Sequence, residues 1–150
     1  MIVEERLVTY INSLDKGNTG VLDAIEREAL DSYVPIIRKE MQSFLKLLLA
    51  MTKPARILEV GTAVGFSSIL MAEYDPVSCE IVTIENYEKR IPIARENFKR
   101  AGKEKQITLV EGDAADILPT LTDPFDLIFM DAAKGQYIYF LPFILRLLNT

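Results

Sequence analysis

From about Lys53-Pro54 onward the chain alternates short apolar runs with helical stretches, and this alternation constrains the fold more than any other feature. Ile57-Leu58-Glu59-Val60, Ile81-Val82-Thr83-Ile84, Ile107-Thr108-Leu109-Val110 and Phe125 to Met130 read as strands. Between them lie Gly65 to Tyr74, closed by Asp75-Pro76, then Glu88 to Ala101, stopped by Gly102, and a short stretch from Ala114 to Leu121. Glycine suits the position after a helix C-terminus because it accepts a left-handed backbone. Gln136 to Leu148 reads as a last helix, bent at Pro142. Strands separated by helices predict right-handed crossovers and a parallel sheet. Strands that are almost wholly apolar predict a sheet covered on both faces. The fold class is α/β.

Before Lys53 the spacing is helical. Leu7, Tyr10, Ile11 and Leu14 follow the i, i+3, i+4, i+7 pattern. Lys16 to Gly20 is a loop, Val21 to Leu30 is a second helix, and a third starts at Pro35 and runs from Ile36 to Met51. Residues 1–52 thus read as an N-terminal helical cap on an α/β core spanning 53–150. With 150 residues the chain is the size of one domain.

Composition limits the chemistry. The absence of His removes imidazole bases, Ser-His and Cys-His nucleophile pairs and imidazole metal sites. One cysteine, Cys79, rules out disulfide scaffolds and zinc clusters, and it reads as a bystander. A bound metal would be a hard ion held by oxygen, such as Mg²⁺. The net charge of −5 argues against non-specific nucleic-acid binding. No apolar run is long enough for a membrane helix, and the N-terminus lacks a signal pattern, so a cytoplasmic protein is expected.

Open α/β sheets take ligands beyond the carboxyl ends of their strands. The first strand leads into Gly61-Thr62-Ala63-Val64-Gly65-Phe66-Ser67-Ser68. This is either an ordinary strand-to-helix turn or a backbone cradle for a ligand. Ala63 stands where the nicotinamide fingerprint has its second glycine, which counts against an NAD-binding oxidoreductase. Glu85 ends the second strand, at roughly the distance of 20 residues where an acid accepts ribose hydroxyls. It could equally be a solvated carboxylate. Asp113, followed by Ala114, caps the next helix and is placed to line an adenine pocket. Asp131 and Lys134 follow the fourth strand. They could share a cleft, holding a cation and assisting proton removal, or be a helix cap and a surface lysine. Tyr137 and Tyr139 fit core or substrate platform equally. Lys89, Arg90, Arg95, Lys99, Arg100, Lys103 and Lys105 form a solvated face or an RNA-phosphate contact.

Taken together, the residues from about Pro35 onward resemble the cation-dependent class I S-adenosylmethionine O-methyltransferases of the catechol and caffeoyl-CoA type. Leu58 to Ser68 matches that family's E-x-G-x-x-x-G-[YF]-S loop, and Asp131-x-x-Lys134 matches its metal aspartate and active-site lysine. The run Asp131 to Tyr137, with Val34-Pro35-Ile36, looks most like the bacterial tRNA 5-hydroxyuridine methyltransferases. The resemblance implies a Rossmann-like fold with S-adenosylmethionine and Mg²⁺ as cofactors. The substrate would be an acidic hydroxyl, first that of 5-hydroxyuridine in tRNA, with a small hydroxylated molecule as the alternative. Met41 would line the cofactor pocket. Glu59, Gly61, Thr62 and Gly65 would shape the loop around the methionine part, with Ser67 near its carboxylate. Glu85 would hold the ribose, Asp113 and Ala114 would flank the adenine, and Asp131 would border the cofactor and bind Mg²⁺. Lys134 would act as base or as positive charge. The family's sheet continues past the point where this chain stops, and its remaining metal ligands lie there. The chain is therefore expected to be part of a longer enzyme, homodimeric when full length, and in isolation to act at most as a binding module.

Overall fold

The computed structural model describes residues 4–132 and 134–149, the side chain of Lys134 excepted. Three helices come first, α1 (Glu5–Ser13), α2 (Gly20–Asp31) and α3 (Lys39–Thr52). The core follows as β1 (Arg56–Val60), α4 (Phe66–Tyr74), β2 (Glu80–Glu85), α5 (Ile91–Arg100), β3 (Ile107–Glu111), α6 (Ala114–Ile117), β4 (Leu127–Met130) and α7 (Tyr137–Leu147). All strand pairs are parallel, in the order β3-β2-β1-β4. The predicted α/β fold is the one observed. The order reverses at β1, which puts a crevice at the carboxyl ends of β1, β2 and β4.

Alternation along each strand divides the core. Ile57, Ile81, Ile107 and Leu109 face one cluster with α2 to α5, while Leu58, Val60 and Ile84 face a second with Phe140 and Leu147 of α7. Leu22, Ile25, Leu45 and Leu49 bring the N-terminal helices into the first cluster. β4 is the sheet edge, half-buried along its length.

The third helix begins later than expected. Pro35 and Ile36 lie outside it, and the first helical bond runs from the Gln42 N–H to the Arg38 carbonyl. The Ile37 carbonyl is taken instead by the Gln42 side chain at 3.0 Å, and Arg38, just before the helix, is extended. The predicted Glu88–Ala101 helix is shorter, with Pro92 in its first turn, where a missing N–H costs nothing. The Ala114–Leu121 helix becomes one α-turn followed by a 3₁₀ turn at Leu118–Thr120, which contains Pro119. Phe125 lies outside β4 and bridges to Leu148 instead. Pro142 is accommodated inside α7.

Candidate functional site

The carboxyl ends of the strands open into one cavity of about 1150 Å³. Its floor is the Gly61–Gly65 turn. The backbone ladder continues into this floor, because the Gly61 and Thr62 N–H groups both donate to the Ile84 carbonyl and the Asp131 N–H donates to Val60. Gly61 has φ +104°, and a Cβ there would stand 2.5 Å from the Asp131 carbonyl oxygen. Only a residue without a side chain lets the ends of β1 and β4 approach this closely. Gly65 has φ +82°, with the Phe98 ring of α5 filling the space a Cβ would need. Asn97, also buried on α5, donates to the Val64 carbonyl at 2.8 Å. One helix therefore braces the turn from below. Ala63 itself is left-handed, φ +49°, an uncommon conformation for a residue with a Cβ.

Glu85 holds the turn from the second strand. One of its carboxylate oxygens accepts the Ala63 N–H at 2.7 Å; the other accepts the N–H groups of Asn86 and Tyr87 at 3.1 and 2.9 Å. An ionised carboxylate offers about four acceptor positions. Three are in use, and one is left on the oxygen facing Ala63. Asp113 caps α6 through the Ala115 N–H at 2.8 Å and lines the cavity with Ala114 and Gly112.

Glu59 lies under the floor, wholly buried, and does not reach the cavity. It points to the same sheet face as its register partner Thr83 and meets the first turn of α4. Ser67 and Ser68 donate their hydroxyls to its two oxygens, and Thr83 donates at 2.5 Å. Thr83 has one proton, so Thr62, 2.6 Å away, donates to Thr83. Burial pushes the Glu59 carboxyl up to about 7, opposed by the three hydroxyls and reinforced by the charge of Asp131.

Of the residues the sequence offered as candidates, Met41, Gly61, Thr62, Gly65, Ser67, Glu85, Asp113, Ala114 and Asp131 all lie at this one cavity or its floor. Glu59 sits one layer behind. The hydroxyls of Thr62 and Ser67 point to that buried network, whereas the Asp131 side chain is exposed at the cavity rim. The Lys134 backbone opens a 3₁₀ turn, Lys134–Gln136, while its side chain and Ala133 lie outside the described residues. Among the described residues no three acidic or thiol side chains converge as a metal site.

Sequence reading missed Ser68, Thr83, Tyr87, Arg90 and Gln42. Thr83 was detectable: it is the one polar residue of the apolar run Ile81–Ile84, as Glu59 is of Ile57–Val60. Other candidates resolve simply. Cys79 is buried, and burial together with the Asp75 carboxylate pushes its thiol up to about 12, so it is no nucleophile. Tyr139 is exposed, and the half-buried Tyr137 donates to the Met130 carbonyl at 3.4 Å. On the basic helix, Arg95 pairs with Glu111 at 2.6 Å, Arg100 with Glu28 at 2.7 Å and Lys103 with Glu73 at 3.7 Å.

Residues 12–150 match the sequence family described as O-methyltransferase. A catechol O-methyltransferase from Niastella koreensis is 40% identical over 144 residues, covering 92% of this chain and 65% of that protein. Among solved structures, the O-methyltransferase TomG from Streptomyces achromogenes, in complex with S-adenosylmethionine, superposes with a TM-score of 0.85 at 30% identity, over 99% of this chain and 71% of its own. An O-methyltransferase from Bacillus cereus, in complex with S-adenosylhomocysteine, gives 0.83 at 28%, over 94% and 67%. The chain spans just under two thirds of the length of the Niastella koreensis relative and of a catechol O-methyltransferase from Mycobacterium tuberculosis.

Proposed function

The chain belongs to the O-methyltransferase family, and from that premise we propose that its cavity binds S-adenosylmethionine and presents its methyl group to the ionised hydroxyl of a small catechol-like molecule. The observation that carries this reading is the spent-and-free pattern at Glu85. Three acceptor positions fix the floor, and Glu85, which lines the cavity, keeps a fourth to which a ribose hydroxyl would donate. The Gly61 turn lines the cavity, Met41 supplies an apolar wall, and Asp113 and Ala114 line the side where an adenine would lie.

S-adenosylmethionine, when bound, supplies a methyl group on a sulfonium; the carbon–sulfur bond breaks as the oxygen–carbon bond forms, leaving a neutral thioether, and the hydroxyl proton goes to base or solvent. The chain has to align and exclude water; no covalent intermediate is needed, in keeping with the lack of His. The rim carboxylate Asp131 is the described residue that would hold a Mg²⁺. Relatives named for catechol support the small substrate. The run from Asp131 to Tyr137 is what favours 5-hydroxyuridine in tRNA as a second reading, although the ion-paired Arg95, Arg100 and Lys103 leave less free positive charge for phosphate.

Calorimetric titration with S-adenosylmethionine and with NAD tests the cofactor. Binding of the first alone is expected; binding of NAD alone would overturn the reading. Parallel methylation assays with a catechol and with tRNA carrying 5-hydroxyuridine separate the two substrates. In the full-length enzyme Asp131→Ala should lower turnover by about 100-fold or more, the size expected of a group that orients or ionises the acceptor, with cofactor affinity changing only a few-fold. Unchanged turnover would remove Asp131 from the reaction.

A further inference from the structure

The segment Pro35–Arg38, which has no regular secondary structure, forms one wall of the cavity, with Met41 on the first turn of α3 beyond it. Nothing in its own backbone makes it rigid: among the described residues it pairs with no strand, and it precedes the helix. What holds it is Gln42. This side chain is 1% exposed and ties together three separate pieces of chain. Its amide N–H groups donate to the Ile37 carbonyl and to Glu26 of α2, both at 3.0 Å, and its oxygen accepts from Asn18 of the preceding loop at 2.9 Å. Both donors are used. Lys39 closes the arrangement from outside, 2.8 Å from the second oxygen of Glu26 and 3.7 Å from Asp15.

A fully buried glutamine in an otherwise apolar helix face is costly to keep unless each polar atom is matched. Here the matched partners lie on the loop, on α2 and on the cavity wall. We propose that Gln42 is a positioning residue for the cofactor: it acts through the Ile37 carbonyl to hold the Pro35–Arg38 wall and Met41 against the bound ligand. The proposal rests on the reading of the cavity as the S-adenosylmethionine site.

The test compares wild type with Gln42→Met, which keeps the volume and removes all three bonds, and with Gln42→Glu, which keeps a partner for Asn18 but, when ionised, has no N–H for Ile37. Calorimetry with S-adenosylmethionine, well below the melting temperature of each variant, is expected to give about 10-fold weaker binding for both. In a catechol methylation assay of the full-length enzyme carrying the same substitutions, KM for S-adenosylmethionine should rise about as much, with kcat at saturation within about twofold. Ile25→Val, a control in the core of α2 outside the cavity, should lower the melting temperature and leave affinity unchanged. If neither Gln42 variant folds, Asn18→Ala removes one bond from the loop side, and about threefold weaker binding is expected. Unchanged affinity in the variants that fold, or kcat falling in parallel with affinity, would overturn the proposal. If wild type binds no S-adenosylmethionine, it is the reading of the cavity that fails instead.

Discussion

Gly61→Ala should cost the fold about 3 kcal/mol and abolish cofactor binding at concentrations that saturate the wild type. The magnitude combines two effects, a strained backbone and a steric overlap, each of about 1 to 3 kcal/mol. At φ +104° an alanine is far from its comfortable regions. Its Cβ would also lie 2.5 Å from the Asp131 carbonyl oxygen and 3.0 Å from the carbonyl carbon. These are backbone atoms, and the Asp131 N–H is held to Val60 at 3.0 Å, so no side chain can swing away. Relief requires the ends of β1 and β4 to part, which moves the cavity floor and the Asp131 rim together. Gly102→Ala is the internal control. Its φ is +65° and a Cβ there would meet no atom within 4 Å beyond its chain neighbours, so only the backbone cost of about 1 kcal/mol applies. Urea unfolding of the two variants measures the contrast. Equal losses would mean that the β1–β4 approach is not what the glycine is for.

Most of the architecture was legible because parallel strands buried on both faces must be apolar, and Ile57, Ile81 and Ile107 head runs that nothing else explains. The turn residues were legible because Gly61 and Gly65 perform a task other residues cannot. The start of α3 was not. Pro35 is a good first helical residue, but the Gln42 side chain captures the Ile37 carbonyl, a contact between a loop and a helix that local pattern does not encode. The environment of Glu59 was equally hidden. A glutamate after Ile57-Leu58 reads as a residue at a strand end, yet its register with Thr83 and the first turn of α4 close over it completely. Lateral register and burial are tertiary facts; the two polar residues that break neighbouring apolar runs were their trace in the sequence.

That buried carboxylate makes the second large effect a function of pH. Glu59→Gln should progressively gain stability relative to wild type as pH rises from about 5 to 8, by up to about 3 kcal/mol. The native carboxyl is pushed up to about 7 from an ordinary 4.5, chiefly by burial. Between those values the native state binds more protons than the unfolded state, so wild-type stability falls as pH rises through this window and levels off above it. The separation corresponds to about 3 kcal/mol between the two protonation states. Glutamine does not titrate, so subtracting its curve from that of wild type cancels the carboxylates elsewhere. Its amide oxygen can accept the hydroxyls that now point at Glu59, and its NH₂ group can donate to Ser67 or Ser68 once that hydroxyl turns. The variant should therefore fold, and the anchorage of α4 beneath the Gly61–Gly65 turn should survive the loss of charge. Denaturant midpoints for both proteins at several pH values decide the matter. Parallel curves would mean that the carboxylate is ionised across the whole range, the hydroxyls of Ser67, Ser68 and Thr83 outweighing its burial.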